Sequence, residues 1–173
     1  TVETIGLSKC GGKGSYALAD CETFKIAGHS VKLHPTFGKH LKKAVDDAIA
    51  AGSVKASQIT SIGGGRLTET QIYLRIRYGC GANYSEIMTA SSTDKCSTPA
   101  AKPTKSNHEV GLATDIAGIL TSGGTAAAMA PGSVARKSPF FIWLSKNVHG
   151  KDLYGNIKGW LKKEPWHWSW NGG

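Results

Sequence analysis

The chain contains no apolar run of the roughly 20 residues a transmembrane helix needs, and no charged-then-apolar leader opens it. A membrane span is therefore not expected. Its first residue is Thr1 rather than Met, as expected of a processed form or a domain excised from something larger. Internal repeats and low-complexity tails are also missing, which removes solenoids and disordered arms. With 173 residues and 40% hydrophobic content, the chain can bury one proper core. The expectation is a single domain over residues 1–173, with 1–30 as a disulfide-stapled N-terminal extension.

Cysteine is scarce and none of it is spaced as Cys-x-x-Cys, so neither a zinc ribbon nor a dithiol redox motif is present. The four cysteines fall as Cys10 with Cys21 and Cys80 with Cys96, which makes two short loop staples the simplest connectivity. Disulfides persist in oxidising compartments, so the expected location is extracytoplasmic, the alternative being four free thiols in a cytosolic protein. Acidic residues are few: 12 against 21 Lys and Arg, for a net charge of +9. An anionic partner follows. Yet the lysines are scattered and no basic run is interleaved with aromatics, so nucleic acid is not the expected partner and another polyanion is preferred.

Three stretches carry chemistry. They are Ser106-Asn107-His108-Glu109-Val110-Gly111-Leu112-Ala113-Thr114-Asp115, then Glu164-Pro165-Trp166-His167, and Arg66 upstream. Two imidazoles and one carboxylate suit Zn²⁺ and leave a fourth position for water. His108, Asp115 and His167 are the expected ligands of one zinc ion. Glu164 is the expected general base, since a carboxylate a few residues from a ligand can reach the water without occupying the metal. Strand alternation agrees. Trp166, Trp168 and Trp170 fall on one face with His167 and Ser169 on the other, while the small residues Ala113 and Ala117 flank Asp115. Pro165 places Glu164 on a bend just before that strand. The pattern is not a helical His-Glu-x-x-His motif.

The pairing of Ser-x-His-x-x-Gly-x-Ala-x-Asp with Glu-Pro-Trp-His resembles the signature of the zinc D-alanyl-D-alanine carboxypeptidases of the VanY type. These share a fold with zinc D-Ala-D-Ala dipeptidases and some phage endolysin peptidases. The family's Arg-Ser-x-x-x-Gln segment is matched by Arg66 and Gln71, with Leu67 in place of the Ser and Gly63-Gly64-Gly65 in place of the usual Gly-Tyr. The resemblance covers residues 30 to 170. It implies zinc on His108, Asp115 and His167, Glu164 as general acid and base, and Arg66 at the oxyanion. It further implies that Ser106 and Gln71 orient the peptide, and that the 79–96 loop is disulfide-closed as in actinobacterial relatives. Trp166 is the indole most open to a substrate contact; Trp168 and Trp170 are expected to pack.

The bland alternatives are assigned elsewhere. His29, His34, His40 and His149 are expected to be structural or surface residues. Glu109 is expected to be exposed, although it rivals Glu164 as a base. Apolar spacing predicts a helix through Phe37, Leu41, Val45, Ala48 and Ile49 that stops at Gly52, and a second over Thr68 to Tyr78 with Arg75 and Arg77 solvated. A third is capped by Ser138 with Pro139 at its first position. The stretch from Ala117 to Ser133 is expected to be a flexible insertion near the site. The expected architecture is α+β, with helices on a small, mainly antiparallel sheet that carries the zinc.

The resemblance implies hydrolysis of the D-Ala-D-Ala bond in peptidoglycan stem peptides as the expected function, with anionic cell-wall polymers as the expected polyanion and a secreted, cell-wall-associated or phage-encoded protein as the expected setting. One alternative is an endopeptidase of the phage-lysin type, which needs an open-ended cleft rather than a hold on a free carboxylate. Another is a non-catalytic zinc-stabilised wall-binding module, disfavoured by the presence of both Glu164 and Arg66.

Overall fold

A computed structural model describes residues 21–66, 68–91, 95–103 and 105–173. The predicted Cys10–Cys21 pairing and the Leu67 substitution lie outside the described residues.

Alternation of apolar and polar residues makes an antiparallel hairpin of β1 (Glu22–Ile26) and β2 (His29–Leu33), in which Phe24 pairs with Val31. Ile26, Val31 and Leu33 point into the core. Helix α1 (Pro35–Ala50) follows at once, capped by the His34 ring, which accepts from the Thr36 amide, with Pro35 in its first turn. Its apolar face, Phe37, Leu41, Ala44, Val45 and Ala48, is buried against the hairpin. Its outer face carries the pairs Lys42–Asp46 and Lys43–Asp47, each at 2.9 Å.

The main sheet has four antiparallel strands in the order β3 (Ile59–Ile62), β4 (Ala113–Gly118), β6 (Glu164–Ser169), β5 (Lys158–Trp160). The two motif-bearing strands are the central pair. Helix α6 (Pro139–Asn147) closes the core; Ser138 caps it by accepting from the Phe141 amide, as its sequence predicts. Trp166 and Trp168 alternate into the main core and Trp170 packs at its margin. The α+β architecture matches the expected class, and no helix among the described residues is long and apolar enough to cross a membrane.

Three elements depart from expectation. First, residues 117–133 are no flexible insertion: β4 runs to Gly118, a 3-10 turn spans Ile119–Thr121, and α4 (Thr125–Met129) follows. Leu120 and Ala128 are fully buried in the main core. Two apolar anchors suffice there, and small polar neighbours hide them in the sequence. A short helix α5 (Val134–Lys137) leads on to Ser138.

Second, Arg75 on helix α2 (Thr68–Arg77) is fully buried rather than solvated. Its guanidinium donates to the carbonyls of Ile87, Ala90 and Ala100, which lie in and after helix α3 (Tyr84–Thr89). The Cys80–Cys96 disulfide closes the same loop as expected, and a second small core of Cys80, Ile87 and Ala100 forms around it. A lone helical arginine reads as solvated because the carbonyls that bury it arrive from 12 to 25 residues away.

Third, Glu164 is the first residue of β6 rather than part of a preceding bend. Pairing with β4 begins only at His167, and the ladder with β5 is irregular between Trp160 and Gly159. Pro165 therefore occupies a stretch of β6 that precedes its ladder with β4, where the missing N–H breaks no pairing to that strand.

Candidate metal centre

His108 is positioned by a 3-10 turn, Asn107–Val110. Ser106 caps it by accepting from the His108 amide at 3.2 Å, and Glu109 reaches back to the Ser106 amide at 3.3 Å. Gly111 ends the turn at φ 71°, a left-handed conformation that favours glycine, and the chain enters β4. The Ser-x-His-x-x-Gly spacing is thus a cap, a ligand and a stop. Asp115 follows on β4 directly opposite His167 on β6. Cross-strand partners lie on one face, so the register itself brings carboxylate and imidazole together.

Nδ1 of His167 is 3.0 Å from Asp115 Oδ1, and Nε2 of His108 is 3.5 Å from Asp115 Oδ2. The two rings meet edge-on with centroids 5.1 Å apart. The candidate ligand atoms of the three residues all lie within 4.8 Å of one another. Four ligands about 2.1 Å from a tetrahedral zinc stand roughly 3.4 Å apart, close to these separations.

The hydrogen bonds of His167 give a further test of fit. Its Nε2 lies 2.8 Å from the main-chain oxygen of Gly173, which can only accept, so Nε2 carries a proton. In the neutral ring, Nδ1 then turns a lone pair toward the Asp115 carboxylate. That arrangement is repulsive unless a proton or a cation lies between the two atoms. Two imidazoles and a carboxylate so disposed fit zinc.

The electrostatics describe the same cluster without metal. Burial opposes ionisation of Asp115, but His108 and His167 overcome it and hold the carboxyl well below its usual range. Burial pushes the His108 imidazole down despite Asp115. It also opposes protonation of His167, but the bond and charge of Asp115 reverse the balance and raise that ring. Burial, helped by the Asp115 charge and opposed by His167 and Arg66, raises Glu164. The Asp115 side chain remains 35% exposed, which leaves the cluster open on one side.

Arg66 is tied in at both ends. Its amide donates to the His108 carbonyl at 2.8 Å, Nη1 donates to Gln71 Oε1 at 2.8 Å, and Nη2 stands 3.9 Å from Asp115 Oδ2. Gly64 before it follows from close approach. A Cβ on Gly64 would come within 2.6 Å of the Lys32 carbonyl on β2, and the Gly65 amide donates to that same oxygen at 2.9 Å.

The remaining sequence candidates take up internal roles. Gln71 is buried and spans Arg66 and the Ala101 carbonyl, so both ends of its amide are engaged within the protein. Ser106 is buried as the cap of the His108 turn. Trp166 is 7% exposed and belongs to the main core. Glu109 corrects the expectation of exposure: it is 2% exposed and accepts from Thr68 Oγ1 at 2.8 Å, because the capping box turns it inward. His29, His34 and His149 are structural, bonded to the Ile59 carbonyl, the Thr36 amide and the Gly159 amide. Trp160 was not selected from sequence, yet its ring lies edge-on to His167 with centroids 6.0 Å apart. Its strand is only three residues long, too short for alternation to reveal which face it takes.

A family model described as VanY, D-alanyl-D-alanine carboxypeptidase, matches residues 31–173. No curated protein sequence matches the chain. Among solved structures, that of the LdcB LD-carboxypeptidase is similar, with a TM-score of 0.51 and 19% identity over 82% of this chain and 60% of that one. VanYB in complex with D-alanine-D-alanine gives a TM-score of 0.51 and 18% identity over 94% and 82%. A variant of the D,D-pentapeptidase VanY from a VanB-type vancomycin resistance cassette, in complex with Zn(II), gives 0.49 and 21% over 88% and 80%. The chain spans less than two thirds of the LdcB structure, and at these identities the likeness is one of fold. The family match covers most of the sequence, and on that ground the chain belongs to the VanY family of D-alanyl-D-alanine carboxypeptidases.

Proposed function

We propose that this protein is a zinc-dependent D,D-carboxypeptidase that removes the terminal D-alanine from peptidoglycan stem pentapeptides outside the cytoplasmic membrane. The observation that carries the reading is the convergence of His108, from the turn before β4, with Asp115 and His167 on the paired β4 and β6, while Arg66 stands 3.9 Å from Asp115 and Glu164 opens β6 three residues before His167. The description of the family supports the D,D bond, as does the dipeptide held by VanYB. Location outside the membrane is supported by the Cys80–Cys96 disulfide and by where that substrate lies.

His108, Asp115 and His167 would hold the zinc. Bound there, it supplies a Lewis acid for the scissile carbonyl and lowers the pKa of a coordinated water to about 7. Glu164 accepts a proton from the attacking water and returns it to the nitrogen of the departing D-alanine. Burial raises its pKa, which makes the carboxylate a stronger base for the first half of that transfer. Arg66, fixed by Gln71 and by its own amide, donates to the oxygen on which charge develops. Trp160 stands edge-on to His167, and the partly exposed Asp115 leaves the cluster open to solvent.

A muropeptide mixture holding pentapeptide stems, tetrapeptide stems and cross-linked dimers tests the reading by mass spectrometry. Loss of one alanine from pentapeptides is expected. Trimming of tetrapeptides alone would reassign the chain to the L,D bond, and conversion of dimers to monomers would make it an endopeptidase.

A further inference from the structure

The side chain of Asn107 lies between the segment carrying the first ligand and the segment that follows the third. Its Nδ2 donates to the Gly173 main-chain oxygen and to Asn171 Oδ1, each at 2.9 Å, while its Oδ1 accepts from Trp170 Nε1 at 3.2 Å. Asn171 Oδ1 also accepts from the Gly173 amide at 3.0 Å and from Ser169 Oγ at 3.3 Å, which folds the chain back on itself after β6. The oxygen that this network holds is the one that receives Nε2–H of His167.

We propose that Asn107 and Asn171 are positioning residues: together they clip the Gly173 oxygen onto His167 Nε2 and thereby present Nδ1 of that ring to the metal. The argument rests on tautomer chemistry. A neutral imidazole has one N–H and one lone pair, and a partner that can only accept at Nε2 places the lone pair at Nδ1, on the side of Asp115. Groups that orient a ligating imidazole in this way commonly contribute about 10- to 100-fold in metal affinity. The inference builds on His108, Asp115 and His167 as the zinc site. It adds that the neighbour of the first ligand controls the ring of the third.

The test uses the full chain and two readouts. Zinc affinity is measured by competition with a chromophoric chelator for the wild type, Asn107→Ala, Asn107→Asp, Asn171→Ala and the Asn107→Ala/Asn171→Ala double variant. Asn107→Asp keeps the acceptor for Trp170 but sets a carboxylate oxygen against the Gly173 oxygen, so it separates the clip from simple packing. Each single variant is expected to lose about tenfold or more in zinc affinity. The double variant should match the weaker single rather than the product of the two losses, because both remove the same contact.

Exchange of the His167 Nε2–H with solvent, followed in imidazole ¹H–¹⁵N spectra of the zinc-free proteins, gives the second readout. Whether the ring is neutral or charged, the wild type is expected to hold a protected Nε2–H on the Gly173 oxygen and the variants a rapidly exchanging one. Affinities within about twofold of wild type in any single variant, losses that multiply in the double, or an equally protected Nε2–H in the variants would overturn the proposal. A wild-type chain that takes up no zinc would instead fail the metal site itself, while the spectra still decide whether the clip holds the ring.

Discussion

Glu164 sits between opposing influences: burial and the Asp115 charge raise its carboxyl, and His167, Arg66 and Lys163 pull it back. As the base it must be ionised, so activity should decline as pH falls through this raised value, with an acid limb above the ordinary Glu pKa of about 4.3. A kcat/KM profile on a synthetic pentapeptide checks it. Glu164→Gln should lower kcat by about 10²- to 10⁴-fold and leave zinc content unchanged, as metal analysis would record. Arg66→Ala should cost about 3 kcal/mol of transition-state stabilisation, seen mainly in kcat. At this scale the sequence was most legible where chemistry restricts residue type, as at His108, Asp115 and His167. It was least legible where a polar side chain turns inward. Glu109, expected to be exposed, is buried and accepts from a hydroxyl of the protein itself.

The elements do more than carry these residues. Arg75, the Cys80–Cys96 disulfide and α3 form a satellite core whose loop supplies the Ala101 carbonyl to Gln71, and Gln71 holds Arg66. Removing the disulfide as Cys80→Ala/Cys96→Ala should lower stability by about 3 kcal/mol. Calorimetry should then show a fall in Tm of about 6 to 12 °C. The same change should reduce kcat through Arg66 while zinc affinity holds, since no ligand lies on that loop. The helices were readable because α1 and α6 have capping residues and a one-sided apolar pattern. Residues 117–133 were not, because Leu120 and Ala128 anchor them through tertiary contacts that no local period records. The pairing of Asp115 with His167 lies beyond local pattern for a similar reason. Alternation gives each strand its faces, but register comes from the antiparallel ladder.

For the molecule as a whole, charge and the metal cluster set the response to solution conditions. A net charge of +9 predicts attachment to anionic wall material that weakens between about 0.1 M and 1 M salt, where the Debye length falls from about 10 to 3 Å. Co-sedimentation with purified walls measures it. In metal-free protein the depressed Asp115 contributes stability that is present above its unfolded pKa of about 3.9 and is lost as pH falls through the lower folded value. The raised His167 contributes below about pH 6.5 and loses its contribution as pH rises through its folded pKa, whereas the depressed His108 acts in the opposite sense. Tm of chelator-treated protein should therefore drop mainly on the acid side of about pH 4, and Asp115→Asn should flatten that drop.

The central claim is that one zinc, held by His108, Asp115 and His167, works with Glu164 to cut the terminal peptide bond. The most direct test compares the zinc-loaded wild type with zinc-loaded Glu164→Gln on a purified pentapeptide stem, with release of D-alanine measured beside metal content. The account predicts chelator-sensitive release by the wild type and almost none by a variant that still holds one zinc. Equal release by both, or none by a zinc-loaded wild type, would contradict it.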